Sequence, residues 1–181
     1  MNLSELMETV PAYARDLKLN FSNLTQQAEL TPQQTWGTIV ACAIASRNPE
    51  FIQTALSEAT NHLSAQALEA AKSATAVMGM NNIFYRFTHL TSNSNYKTIP
   101  ARLRMQAIRS HGSDPVDFEL WCLAVSAING CAACIDSHEK VVREKGLSEE
   151  AIVAAVRLAA VIHGLAAVFD AEVASRQTVT A

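Results

Sequence analysis

The chain has little glycine, proline and charge for its length. Its 181 residues include six Gly and five Pro, and 17% of them are charged. So few turn-forming residues, together with abundant Ala, Leu, Glu and Gln, predict helices joined by short connections, and we expect an all-α protein. Fourteen basic against seventeen acidic residues leave a formal charge of -3 without a basic stretch. This balance indicates that neither nucleic acid nor an anionic membrane is a partner.

Targeting and cofactor signals are also missing. The N-terminal stretch carries acidic residues early and no uninterrupted apolar core, so it does not resemble a secretory signal, and we expect a cytoplasmic protein. The most apolar stretch, residues 151–169, contains Arg157, His163 and Gly164, which predicts a buried helix rather than a membrane span. No glycine-rich nucleotide-binding turn occurs, so we expect no bound cofactor.

Capping signals predict where the helices begin and end. They mark starts at Thr31-Pro32, Asn48-Pro49, Ser64, Asp114-Pro115 and Ser148. The helix after Ser64 is predicted to run to about Phe84, residues 88–97 to form a loop, and Pro100 to open a short helix. The helix after Asp114 should end at Asn129-Gly130, since Gly is the favoured left-handed terminator. Cys131 then lies at the start of the next helix.

The sequence matches itself at a shift of about 84 residues. Trp36 aligns with Trp121, and an Ala-rich run in each half also aligns. We therefore interpret the chain as one domain built from two helical halves, residues 31–87 and 115–171, with both tryptophans as core anchors. Ser46 and Pro49 then occupy the places of Cys131 and Cys134, so any thiol chemistry belongs to the second half.

Two of the four cysteines form a close pair. Cys131 and Cys134 lie three positions apart at a predicted helix start, where free amide donors and the helix dipole favour a thiolate. His138 lies four residues after Cys134 and shares its helix face, so its imidazole can act on the thiols. Cys42 and Cys122 lie in apolar helical runs and are predicted to be core thiols.

The sequence leaves open whether Glu119 takes part in this site and whether the site binds a metal ion. If the helix carrying Glu119 doubles back on the next one, the carboxylate could take a thiol proton or orient the imidazole, whereas the alternative is a surface position. Zinc would need four ligands, with Glu119 or Cys122 completing a set of Cys131, Cys134 and His138. Structural zinc sites usually draw on loops or two separate knuckles, so the pattern favours redox chemistry over metal binding.

The motifs resemble those of the alkyl hydroperoxidase D family, within the carboxymuconolactone decarboxylase-like superfamily. The resemblance rests on the strings FELW and AVSAINGC, on the paired cysteines with the following His-Glu, and on Trp36-Gly37-Thr38, Arg47-Asn48-Pro49 and Met78-Gly79-Met80. It covers nearly the whole chain. It implies a homotrimeric thiol peroxidase that reduces organic hydroperoxides, accepts electrons from dihydrolipoyl groups on a lipoylated dehydrogenase-complex subunit, and reduces a peroxiredoxin of the alkyl hydroperoxide reductase C type.

The resemblance also implies a role for each site residue. Cys134 is the thiol that attacks the peroxide and becomes a sulfenic acid, and Cys131 supplies its proton and then closes the disulfide. His138 and Glu119 complete the set. Helix-start geometry alone would favour Cys131 as the attacking thiol. Cys134, however, is one helical turn from His138, whereas Cys131 is two turns away and closer to the Gly130 break, which favours the assignment that the resemblance implies. Ala133 stands where members of this family carry His, which leaves proton transfer to His138 and Glu119.

A second function class stays open. The chain could be a non-catalytic redox adaptor that passes electrons from a lipoyl carrier to a peroxiredoxin. A lyase of the decarboxylase type is disfavoured because that chemistry does not need adjacent thiols. The other histidines have structural interpretations, and His163, within the apolar last helix, is predicted to be a core imidazole.

Overall fold

A computed structural model of the chain describes residues 1–179, and its regular structure over that range is helical, without strands. The helices are α1 Leu3–Glu8, α2 Arg15–Leu24, α3 Pro32–Ser46, α4 Pro49–Ala59, α5 Ala65–Leu90, α6 Ala107–Ser110, α7 Pro115–Asn129, α8 Ala132–Glu144 and α9 Glu149–Val179. Short 3-10 helices cover Ala12–Ala14 and Ser94–Thr98. The all-α prediction is confirmed.

Helices α3 and α7 form the centre of the molecule. They pack against each other, α5 covers them on one side and α9 on another, and α8 folds back onto α7. Trp121 of α7 is fully buried, and its indole lies so close to α3 that a Cβ at Gly37 would overlap the ring. Trp36 is only half-buried and stacks on His62, so of the two predicted core anchors only Trp121 lies fully in the core.

The capping signals place most helix boundaries correctly. The Thr31 side chain accepts a hydrogen bond from the Gln34 amide, and the Gln34 side chain bonds back to the Thr31 amide. The Asn48 side chain caps α4 by accepting from the Phe51 amide, and the Asp114 side chain caps α7 by accepting from the Val116 and Asp117 amides. Gly130 ends α7 with a left-handed φ of 65°, as predicted.

The region after α5 differs from the prediction. Helix α5 continues to Leu90, six residues beyond Phe84, and so includes part of the predicted loop. No helix opens at Pro100, because Arg102 two residues later has a left-handed φ of 52°, which a right-handed helix does not allow. The short helix in this region is α6 instead.

Helix α9 is long and apolar enough to cross a membrane by length and composition alone. Half of its most apolar window is buried inside this chain, and a core helix meets the same criterion, so α9 does not indicate a membrane protein.

The prediction that His163 is a core imidazole is wrong. His163 lies on an exposed part of α9, with Nδ1 3.4 Å from the Ser46 hydroxyl oxygen.

Candidate active site

The corner between α7 and α8 places both paired cysteines at a helix start. The left-handed Gly130 turns the chain, and the Cys131 amide then donates to the Ser126 carbonyl at 3.1 Å. Cys131 is the N-cap of α8, and its side chain makes no capping hydrogen bond in the described structure. Both cysteines thus lie at the N-terminus of α8, where the helix dipole favours negative charge on a thiol.

Cys131 and Cys134 are joined in a disulfide, so the structure describes the oxidised form of the pair. The Cys131 side chain is 0% exposed and Cys134 is 6% exposed. Cys134 also lines a cavity of about 260 Å³, whose other lining residues are Met78, Asn81, Tyr85, Met105, Ile108, Ala133, Ser137 and His138. A small molecule entering this cavity would meet Cys134 and not Cys131.

Glu119 and His138 form a close pair beside this cavity. The Glu119 Oε2 atom lies 2.6 Å from His138 Nδ1, and the two side chains are 15% and 9% exposed. The pair forms because α8 doubles back along α7, which brings residues 19 positions apart into contact. Glu119 is thus part of the site, and the alternative of a surface carboxylate is wrong.

The second nitrogen of His138 faces a residue that sequence reasoning missed. His138 Nε2 lies 3.2 Å from the thioether sulfur of Met78, which is on α5 and 60 positions away along the chain. Both ring nitrogens thus face atoms other than the cysteine sulfurs in the oxidised form. No local pattern connects residues 78 and 138, so only the packing of α5 on α8 reveals this contact.

A chain of buried polar groups on α5 and α7 supports Met78. The Asn129 side-chain amide donates to Asn82 Oδ1, and the Asn82 amide donates to the Ser126 hydroxyl oxygen, each at 2.9 Å. The Ser126 oxygen lies 3.5 Å from the Met78 sulfur. Arg86 donates to the Asn129 carbonyl, so α5 holds the end of α7 immediately before the cysteine corner.

Comparison with known proteins places this chain in a family. Residues 95–175 match the model of the carboxymuconolactone decarboxylase family. A protein of Solibacter usitatus named alkyl hydroperoxide reductase AhpD is 64% identical over 172 residues, covering 95% of this chain and 97% of its own length. Proteins of the same name from Acidobacterium capsulatum and Koribacter versatilis are each 62% identical over 173 residues, covering 95% of this chain and 94% and 89% of their own lengths. The chain belongs to the AhpD family.

The match to the wider family model covers only part of this AhpD-family site. Residues 95–175 include Glu119, both paired cysteines and His138. Met78 and Asn82 lie outside that range, on α5. The α5 side of the site is thus contributed by the part of the chain that the wider family model does not match, whereas the AhpD relatives align over nearly the whole chain.

The other two cysteines are unsuited to chemistry. Cys42 and Cys122 are free thiols with 0% exposure. Burial raises the pKa of the Cys42 thiol far above its usual range, and burial together with the Glu119 charge raises the pKa of the Cys122 thiol. Neither forms a thiolate readily, which agrees with the prediction that both are core residues. Among the described residues, no group of three or more His, Cys, Asp or Glu side chains could hold a metal ion.

Proposed function

We propose that this chain is a thiol peroxidase that reduces organic hydroperoxides through the Cys131–Cys134 pair. The observation that carries the proposal is the difference between the two sulfurs, since Cys134 opens on the cavity and Cys131 is fully enclosed. The relatives' name, alkyl hydroperoxide reductase, supports the peroxide as substrate. The largely apolar lining of the cavity suits the organic part of such a molecule.

The reaction proceeds in two covalent steps. The Cys134 thiolate attacks the outer oxygen of ROOH, the O–O bond breaks, and the alkoxide takes a proton and leaves as ROH. The resulting Cys134 sulfenic acid is then attacked by the Cys131 sulfur, which forms the disulfide and releases water. Cys131 is suited to this second step because its Cα lies 5.3 Å from that of Cys134 and because it is shielded from the cavity.

Glu119 and His138 handle the protons of these steps. The pair is mostly enclosed, and its members share a hydrogen bond, so a proton taken from a thiol can be stored there and returned to the departing oxygen. With Ala133 beside Cys134, this pair is the source of acid–base catalysis within the proposal.

The disulfide is re-reduced by dihydrolipoyl groups from a lipoylated dehydrogenase-complex subunit, and the reduced pair also reduces a peroxiredoxin of the alkyl hydroperoxide reductase C type. Each exchange moves two electrons, so that one dithiol is oxidised while one disulfide is reduced. No cofactor or metal is bound in this scheme. We place the reaction in the cytoplasm, where the thiol pool keeps such a pair in its reduced form between turnovers.

Direct turnover separates the peroxidase from the redox adaptor. The isolated protein is mixed with dihydrolipoamide and an organic hydroperoxide, and loss of the hydroperoxide is followed. A peroxidase consumes the hydroperoxide without any other protein, and stopped-flow oxidation with thiol counting shows two thiols lost for each equivalent. An adaptor consumes it only after the peroxiredoxin is added, and this result would overturn the proposal.

Assembly as a homotrimer is the remaining part of the proposal. Apolar side chains on two long helices are exposed on the single chain, namely Val153, Val156 and Val173 on α9 and Ile83, Phe87 and Leu90 on α5. An apolar helix face needs a cover, and further copies of the chain supply one. Sedimentation at micromolar concentration should give a trimer, and a monomer would contradict this part.

A further inference from the structure

Three polar atoms converge on the buried sulfur of Met78. The Met78 side chain is 1% exposed, and its sulfur is approached by His138 Nε2 at 3.2 Å, the Ser126 hydroxyl at 3.5 Å and the Asn82 amide at 3.7 Å. A thioether carries no proton and can only accept a hydrogen bond. Each of these three contacts can therefore be a hydrogen bond only if the nitrogen or oxygen atom donates a proton to the sulfur.

The hydrogen bonds of Ser126 and Asn82 agree with the Met78 sulfur being an acceptor. The Ser126 oxygen already accepts from Asn82, so its own proton is free to point at the sulfur. Asn82 Oδ1 accepts from Asn129, which fixes the orientation of its amide group with the NH2 toward Ser126 and Met78. The polar chain on α5 and α7 thus ends at the Met78 sulfur as its final acceptor.

We infer that Met78 is a positioning residue whose sulfur holds a proton on Nε2 of His138. With Glu119 at Nδ1, both ring nitrogens then face acceptors, and this arrangement suits the doubly protonated imidazolium. When the proton of the Cys134 thiol moves to the Glu119–His138 pair, the Met78 sulfur stabilises the resulting positive ring. That charge lies one helical turn from Cys134 and favours its thiolate. This part of the inference rests on the proposed function.

The test compares Met78→Leu, which keeps the volume and removes the acceptor, with Met80→Leu, the same exchange two residues along α5. The full chain is labelled with 15N-histidine, and the Nε2 signal of His138 is read at neutral pH in the reduced protein, where the pair holds the proton of the Cys134 thiol. The reduced protein is then alkylated with iodoacetamide, and the rate at Cys134 is followed by mass spectrometry. Neither measurement uses a peroxide, so both can succeed even when peroxide turnover fails.

We expect Nε2 to be protonated in the wild type and in Met80→Leu, and to lose that proton in Met78→Leu. Alkylation of Cys134 should be about tenfold slower in Met78→Leu, because a smaller fraction of the thiol is then ionised. Equal signals and equal rates in the two variants would overturn the inference. An unprotonated Nε2 in the wild type would also overturn it, and this measurement decides even when Met78→Leu does not fold.

Discussion

The molecule makes two similar corners, and only one of them holds thiols. Helices α3 and α7 are each 15 residues long, begin with Pro, and end at a residue with left-handed φ, Arg47 at 68° and Gly130 at 65°. After the first corner, the Asn48 side chain caps α4 by accepting from the Phe51 amide at 2.8 Å. After the second corner, Cys131 stands in the cap position and its sulfur is bonded to Cys134.

The first corner contributes to stability, whereas the second corner carries the reactive residues. The first corner is closed, because Asn48 also donates to Asp170 on α9 at 2.8 Å and Pro49 lacks the amide proton that would need a partner. At the second corner the Cys131 side chain makes no capping hydrogen bond, and Arg86 and Asn82 of α5 bond to the last residues of α7. A duplication would explain the likeness, and it stays a prediction.

The largest effect is expected at the two thiols. Cys134→Ser should abolish the reaction with an organic hydroperoxide, because the attacking sulfur is lost. Cys131→Ser should still react once and trap Cys134 as a sulfenic acid, which mass spectrometry after one equivalent of hydroperoxide detects. The reverse pattern would exchange the two roles. Ser46→Ala, at the last residue of α3 in the first corner, should leave the rate unchanged.

The next largest effect concerns the Glu119–His138 pair. Glu119→Gln and His138→Ala should each slow the reaction with hydroperoxide by about a hundredfold, within the range of a positioned acid–base group. The double variant should lose little more than either single one, because the two groups act as a unit. Stopped-flow rates of the reduced variants measure this. Fully additive losses would show that the two side chains act separately.

The sequence predicts the second corner in detail because its signals are local. The Asp114-Pro115 start, the Gly130 stop and the placing of Cys131 at a helix start depend on neighbouring residues, and local capping chemistry decides them. The sequence predicts that Glu119 approaches the thiol face only if the helix between Asp114 and Gly130 folds back on the next one, and the structure has this fold-back.

The α5 side of the site could not be predicted. Met78 and Asn82 reach it only through the packing of α5 across α7 and α8, and helical periodicity does not encode that contact. The exposure of His163 and the absence of a helix at Pro100 are likewise decided by tertiary packing and by the backbone of Arg102. Capping signals in the sequence therefore predict the corner between α7 and α8, but they do not predict how α5 packs against it.

The contact between the two central helices provides a third test. Gly37→Ala should destabilise the fold by about 1–3 kcal/mol, since the new methyl group would overlap the fully buried Trp121 ring. Gly79→Ala is the matched control in α5, where a Cβ meets nothing within 4 Å, and it should stabilise by about 0.5–1 kcal/mol through helix propensity. Urea unfolding measures both. Equal effects would contradict the close approach of α3 to α7.

The closed first corner predicts a loss of stability without a loss of chemistry. Asn48→Ala should lower the free energy of unfolding by about 1–2 kcal/mol, because Asn48 is 3% exposed and its loss leaves the Phe51 amide without its cap. Asn2→Ala removes an exposed cap of the same kind from α1 and should cost less. The hydroperoxide rate of folded Asn48→Ala should equal that of the wild type, and a slower rate would link the first corner to the site.

The smallest expected effect is a pH dependence of stability that arises where Asp117 of α7 is hydrogen-bonded to α3. Asp117 on α7 is 6% exposed and accepts hydrogen bonds from the side-chain amides of Gln33 and Gln34 on α3, at 2.7 and 2.9 Å. Burial raises the pKa of this carboxyl, and the two amides only partly oppose that shift.

Because the folded-state pKa of Asp117 lies above the unfolded one, the proton is bound more tightly by the folded chain. Its contribution to stability is complete below the unfolded pKa, near 4, and is lost as the pH rises through the folded pKa. The Asn side chain of Asp117→Asn stays neutral at every pH and does not cause this loss. The unfolding free energy of the variant, relative to that of the wild type, should therefore increase as the pH rises from acid to neutral. Glu69→Gln removes an exposed carboxylate and should show no such gain. Urea unfolding at several pH values measures the difference, and parallel curves for wild type and Asp117→Asn would mean that Asp117 ionises in the fold as readily as in the unfolded chain.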